Sequence, residues 1–175
     1  GYVLQTPPLF SGTVLETLRY GRENATMGEI EAAVRAVSAE GIIERLPDGY
    51  QSDVGEGGDR LSTGEKQLLS FARALLADPR IFVLDEATSS VDTITEQKLQ
   101  QAIETVMRGR TSFIVAHRLS TIRRADVILV VQDGRIIEQG SHRALMERKG
   151  AYYALYTRQY REQAMQAFLR GGEPA

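Results

Sequence analysis

The chain has 175 residues and a formal net charge of -2, from 21 Lys and Arg against 23 Asp and Glu, so no surplus cation exists to collect nucleic acid. A hydrophobic content of 42% is ample for a packed core and excludes a disordered chain, while the absence of cysteine excludes disulfides, thiolate catalysis and cysteine-bound zinc. No apolar run approaches the roughly 20 residues of a membrane-spanning helix.

Tyr2 to Leu4 has the character of a strand end, and Pro7-Pro8 then forces a turn because the rings fix φ and remove two backbone donors. Gln5 falls at that strand-to-loop junction. From Thr13 to about Tyr50 the pattern is helical in pieces, with Ile30, Ala33, Val34 and Val37 at helical spacing within Met27 to Ala39. Gly41, Pro47 and Gly49 are expected to break those pieces apart. Gly55 to Asp59 is too glycine-rich for a regular element.

Ser62-Thr63-Gly64-Glu65 has the form of a capping box, which predicts a helix through Leu68, Leu69, Ala72, Leu75 and Leu76. Asp78-Pro79 should stop it, because proline disfavours helical geometry in the residue before it. Ile81 to Leu84 and Phe113 to Ala116 are short, uniformly apolar strands on either side of a helix around Glu96 to Met107. Uniform hydrophobicity predicts burial on both faces, the habit of a parallel sheet flanked by helices, and the alternation indicates an α/β fold. Val127 to Val131 and Arg135 to Glu138 flank Asp133-Gly134, a hairpin signal. Helices from about Ser141 and from Ala151 close the chain.

Two places carry chemistry. Asp85 and Glu86 end a buried strand at the sheet edge where α/β folds bind ligands, and successive strand residues point in opposite directions, so the two carboxylates need separate roles. One division has Asp85 holding hydrated Mg²⁺ and Glu86 polarising an attacking water. At Ser62, free first-turn amides, the hydroxyls of Ser62 and Thr63, and Gly64 together suit an anion such as phosphate. Taken alone, the first place equally fits an exposed acidic pair and the second an ordinary helix cap.

The motifs in order narrow that choice. Gln5, Leu61-Ser62-Thr63-Gly64-Glu65-Lys66-Gln67, Ile81-Phe82-Val83-Leu84-Asp85-Glu86-Ala87-Thr88-Ser89-Ser90-Val91-Asp92 and Val115-Ala116-His117-Arg118 follow one another along the chain. In that order they resemble the Q-loop, signature, Walker B with D-loop, and H-loop of an ATP-binding-cassette (ABC) ATPase. The resemblance covers Gly1 to about Tyr156, and Leu9 to Val14 followed by Leu18-Arg19-Tyr20-Gly21 is similar to exporters of the multidrug or lipid type, whose ATPase is fused to a membrane domain.

The resemblance implies that Gln5 senses Mg²⁺ and the lytic water, and that Ser62, Thr63, Gly64 and Glu65 face ATP held by an opposite ATPase domain. It implies that Asp85 binds the metal, Glu86 is the general base, Asp92 couples the two sites of a homo- or heterodimer, and His117 hydrogen-bonds the γ-phosphate. ATP and Mg²⁺ are the expected cofactors and nucleic acid is not an expected partner. His142, after a cap-like Ser141, reads as structural, and Tyr152, Tyr156 and Tyr160 as a packing stripe on one helix.

The sequence departs from the commonest pattern of that family. Thr63 replaces a glycine and Glu65 a glutamine, and Glu65 is expected to turn back into the capping box rather than toward phosphate. The phosphate loop Gly-x-x-x-x-Gly-Lys-Ser/Thr is missing, since Lys66, Lys98 and Lys149 follow Glu65, Gln97 and Arg148. The expected fold is therefore a P-loop NTPase-type (RecA-like) parallel-sheet lobe, incomplete at its N-terminus, with a helical subdomain. The loop that grips ATP is expected upstream of Gly1, as is a fused transmembrane domain that would hold the ATPase at the cytoplasmic face of the cell membrane.

By motif the chain divides into 1–79 (Q-loop, helical subdomain and signature helix), 80–150 (the rest of the ATPase lobe) and 151–175 (C-terminal helix and tail). The chain alone is expected to be inactive. A soluble importer ATPase subunit shares the same motifs. A chromosome-maintenance or DNA-repair ATPase fits less well, because the segment between Gln5 and Leu61 has no sustained heptads.

Overall fold

The computed structural model describes residues 1–3, 9, 11–85, 93–116 and 119–169. Gln5, Glu86, Asp92 and His117 lie outside the described residues. Packing divides the chain once, into Gly1–Val115 and Ala116–Ala175, whereas the division by motif follows the order of the functional text.

In the first unit, β1 (Tyr2–Val3), β2 (Ile81–Asp85) and β3 (Thr111–Val115) form a parallel sheet in the order β1-β2-β3. The register pairs Val3 with Leu84, and Leu84 with Ile114. Around it lie α1 (Val14–Arg19), α2 (Met27–Ala36), α3 (Glu40–Arg45), α4 (Thr63–Leu76) and α5 (Thr93–Met107). The predicted strand-helix-strand alternation is thus present.

Helix α4 is the hub of this unit. It touches α1, α2, α5 and β1, and its buried residues include Leu68, Leu69, Phe71, Ala72, Ala74 and Leu76, so burial extends well beyond a single apolar stripe. The helix ends at Leu76 with Ala77 as its C-cap, and Asp78 takes a positive φ of 41° before Pro79. Arg110 then clamps the two loops at the start of β2 and β3. It donates to the carbonyls of Pro79 at 3.1 Å and Val106 at 2.9 Å, and pairs with Asp78 at 2.8 Å.

Two expectations need correction. The break between α2 and α3 falls at Val37 to Ala39, where Ser38 has a φ of 54°, and Gly41 lies inside α3. Ser38 takes the left-handed region just after the first helix, and glycine is tolerated in the second at a cost of about 1 kcal/mol. The described residues cover only one face of the uniformly apolar strands. Phe82 and Leu84 are buried under the helices, yet Tyr2, Ile81, Phe113 and Val115 on the other face are exposed.

The second unit holds α6 (Leu119–Arg124), β4 (Ile128–Gln132), β5 (Arg135–Gly140), α7 (His142–Arg148) and α8 (Ala151–Leu169). Strands β4 and β5 form the predicted antiparallel hairpin, and its two turn residues have positive φ, 50° at Asp133 and 73° at Gly134. A small core of Val130, Leu145 and Tyr152 joins the hairpin to α7 and α8. Among the described residues, no helix is long and apolar enough to cross a membrane.

Candidate functional site

The start of α4 is built as its sequence predicts. Ser62 has extended backbone geometry, φ -64° and ψ 161°, which frees its side chain to cap the helix. Its hydroxyl accepts from the Glu65 amide at 3.3 Å, and the Glu65 carboxylate accepts from the Ser62 amide at 2.8 Å. The amides of Thr63 and Gly64 belong to the first turn, where no intrahelical acceptor exists. Ser62 and Thr63 are exposed while Gly64 is buried, so the helix end presents two hydroxyls on its positive pole.

Glu65 has a second partner. The Arg45 guanidinium at the end of α3 pairs with its other carboxylate oxygen, and Arg45 Nε donates to the Gly41 carbonyl at 2.8 Å. Burial would raise the Glu65 carboxyl. The Ser62 amide, the Ser62 hydroxyl and Arg45 outweigh it and hold the group below the usual carboxylate range. Lys66, one residue on, donates to the Gly57 carbonyl at 3.0 Å and ties the glycine-rich loop to the same helix end.

Asp85 is the last residue of β2, paired with Val115 at the carboxyl edge of the parallel sheet, and it is half-buried. No group of three or more His, Cys, Asp or Glu that could cage a metal exists among the described residues. A hard cation that keeps most of its water needs no such cage. One half-exposed carboxylate at a sheet edge fits Mg²⁺, which takes one or two protein carboxylates.

His142 lies in the second unit, with Nδ1 2.7 Å from the Tyr152 hydroxyl and its ring against Tyr156. Its reading as a structural residue agrees with that place. The tyrosine stripe packs at Tyr152 and Tyr156 and ends in solvent at Tyr160.

The structure thus gathers Ser62, Thr63, Gly64 and Glu65 at one helix end and puts Asp85 at a sheet edge of the same unit. Sequence reasoning assigned Arg45 no role and named Lys66 only within the signature and as a lysine that opens no phosphate loop. Arg45 carries no local signal, being 20 residues from Glu65, whereas Lys66 could have been suspected from its place within the signature.

Comparison with known proteins gives a consistent result. The family described as ABC transporter matches residues 1–89. An "Uncharacterized ABC transporter ATP-binding protein YfiC" of Bacillus subtilis is 51% identical over 160 residues, which is 91% of this chain and 26% of that protein. A "Fatty acid ABC transporter ATP-binding/permease protein" of Mycobacterium bovis is 53% identical over 155 residues, 89% of this chain and 25% of that protein. The solved "Structure of a bacterial Atm1-family ABC exporter with ATP bound" superposes with a TM-score of 0.82 at 44% identity, over 91% of this chain and 28% of that one. The chain therefore spans about a quarter of the length of these relatives.

Proposed function

The chain belongs to the ABC transporter family, and from that premise we propose that it forms the C-terminal part of an exporter's ATPase domain, coupling ATP binding and hydrolysis to passage of a substrate across a membrane. The observation that carries this reading is the start of α4, where exposed Ser62 and Thr63 hydroxyls sit on a positive helix end in the unit whose strand β2 ends in Asp85. Relatives whose names join ATP-binding and permease favour the exporter over a separate importer subunit.

In the assembled protein a second ATPase domain, alike or different, faces this one. Ser62, Thr63 and Gly64 donate to the γ-phosphate of ATP held by that partner, and Glu65 stays in the cap. Mg²⁺, when bound, supplies positive charge to the phosphate oxygens. Asp85 holds the hydrated ion, Glu86 accepts the proton of the attacking water, and Gln5 orients that water. His117 donates to the γ-phosphate, and Asp92 links the two sites. A membrane domain of the same polypeptide keeps the ATPase at the cytoplasmic face of the membrane.

The test is ATP binding and turnover by the full-length protein carrying this sequence. Glu86→Gln should retain ATP binding while turnover falls at least about a hundredfold, within the range expected for loss of a general base. Near-normal hydrolysis by that variant would reject the assignment, and a wild-type protein without ATP-dependent turnover would reject the function.

A further inference from the structure

A carboxylate beside a phosphate site is a liability. Glu65 occupies the first turn of α4, three residues from the Ser62 hydroxyl that is proposed to meet the γ-phosphate, where a free negative charge would repel the nucleotide and weaken its attraction to the helix end. Two features remove the liability. The Ser62 amide holds one oxygen of the carboxylate inside the capping box, and the Ser62 hydroxyl accepts from the Glu65 amide. Arg45 holds the other oxygen with opposite charge.

Arg45 is well placed for this task. It ends α3, so its position depends on the helical segment rather than on α4 itself. Its Nε donates to the Gly41 carbonyl one turn back at 2.8 Å, which fixes the plane of the guanidinium and aims Nη2 at Glu65. The Arg45 side chain is 69% exposed and the Glu65 side chain only 18%. The arginine therefore contributes little to the core, and its exposed side chain has few packing contacts to lose. The ion pair matters to the less exposed partner, whose carboxylate would otherwise be held only by the cap.

A second capping box in the same unit gives an internal comparison. Thr26 and Glu29 open α2 with the same reciprocal bonds, and Arg22 pairs with Glu29. There the arginine and the glutamate are almost equally exposed, 45% and 46%, and the pair stands in solvent where it is worth little. At α4 the carboxylate is mostly buried and its arginine is delivered from another helix, 20 residues away. The α4 pair is thus a tertiary contact, and it joins α3 directly to the phosphate-facing turn.

We infer that Arg45 is a positioning residue of the ATP site, which keeps Glu65 neutralised and folded into the Ser62 cap so that the start of α4 remains open to the γ-phosphate of a nucleotide. The inference rests on the proposed placement of Ser62 and Thr63 at that phosphate. It concerns affinity rather than the chemical step, because Arg45 touches no reacting atom.

The experiment is a double-mutant cycle in the full-length protein, with KM for ATP and kcat measured separately. Arg45→Ala should raise KM for ATP about tenfold with kcat changed less than about twofold, the scale expected for coupling between charges in contact. In a Glu65→Gln background the same Arg45→Ala change should alter KM less than about twofold, because no charge remains to neutralise. Arg45→Lys should keep most of the wild-type KM and Arg45→Gln should not, which separates charge from packing. An equal effect of Arg45→Ala in both backgrounds, or Arg45→Gln matching Arg45→Lys, overturns the inference while leaving the proposed function standing. A wild-type protein that does not turn over ATP overturns the function on which the inference rests.

Discussion

Gly150 leaves room for Glu138: a Cβ at position 150 would stand 1.8 Å from Glu138 Oε1. The Glu138 carboxylate accepts from the Ala151 amide and from the Tyr152 amide, each at 2.9 Å. Gly150 immediately precedes α8 and has no side chain with which to cap it. A residue of β5 therefore does the capping from 13 positions away.

That relationship predicts a cost for filling the space. Gly150→Ala should lower the stability of the second unit by about 1 to 2 kcal/mol, since Glu138 can swing aside only by giving up two charge-assisted bonds. Glu138→Ala should cost about the same. Adding Gly150→Ser to Glu138→Ala should recover part of the loss, because the serine hydroxyl supplies a local cap in the space the carboxylate vacates. Denaturant unfolding of the three variants checks this, and a double variant no more stable than Glu138→Ala would refute the capping account.

The His142 and Tyr152 pair predicts a stability plateau with two edges. Burial, then the Tyr156 charge, push the Tyr152 hydroxyl up from 10.0 to about 12, against a smaller opposing effect of Arg123. Burial, then Arg123, hold His142 below its ordinary 6.5. For Tyr152 the folded state keeps its proton longer than the unfolded state, so its contribution is complete below about pH 10 and is lost as pH rises toward 12. For His142 the folded state sheds its proton sooner, so its contribution is complete above 6.5 and is lost as pH falls through the folded value. Tyr152→Phe should flatten the alkaline edge and leave the acid edge in place. Unfolding midpoints across pH test this, and an unchanged alkaline edge in Tyr152→Phe would show that another group sets it.

The two capping boxes at α2 and α4 separate stability from function. Thr26→Ala and Ser62→Ala each remove an N-cap oxygen and should each cost about 1 kcal/mol. Only Ser62→Ala should also raise KM for ATP in the full-length protein. Thermal unfolding together with turnover measures both effects, and equal KM values in the two variants would count against Ser62 at the phosphate.

Much of the scaffold is legible in the chain because the signals are local. The Ser62 to Glu65 box needs only four consecutive residues, and the structure forms it with both reciprocal bonds. The same pattern at Thr13 to Glu16 and Thr26 to Glu29 was equally available and also forms boxes. The hairpin turn at Asp133 and Gly134 follows from two residues that accept positive φ. The α2 to α3 break was less legible, since Ser38 is not an obvious left-handed residue and Gly41 is an obvious distraction. Of the candidate site, the four signature residues and Asp85 fall on described elements, and Arg45 could not be chosen from its sequence neighbours.

The amino-acid sequence by itself determined the start of α4, the Asp133-Gly134 turn, the parallel arrangement of the strands and which family the chain resembles. Those depend on neighbours within a turn or a pleat, or on motif order, and the covalent chain sets both. Only the tertiary structure decided that Arg45 meets Glu65, that Glu138 caps α8, and that Phe82 and Leu84 pack into the core from one face of the β1-β2-β3 sheet. Such contacts join residues far apart in the chain, so they exist only once packing has brought the elements together.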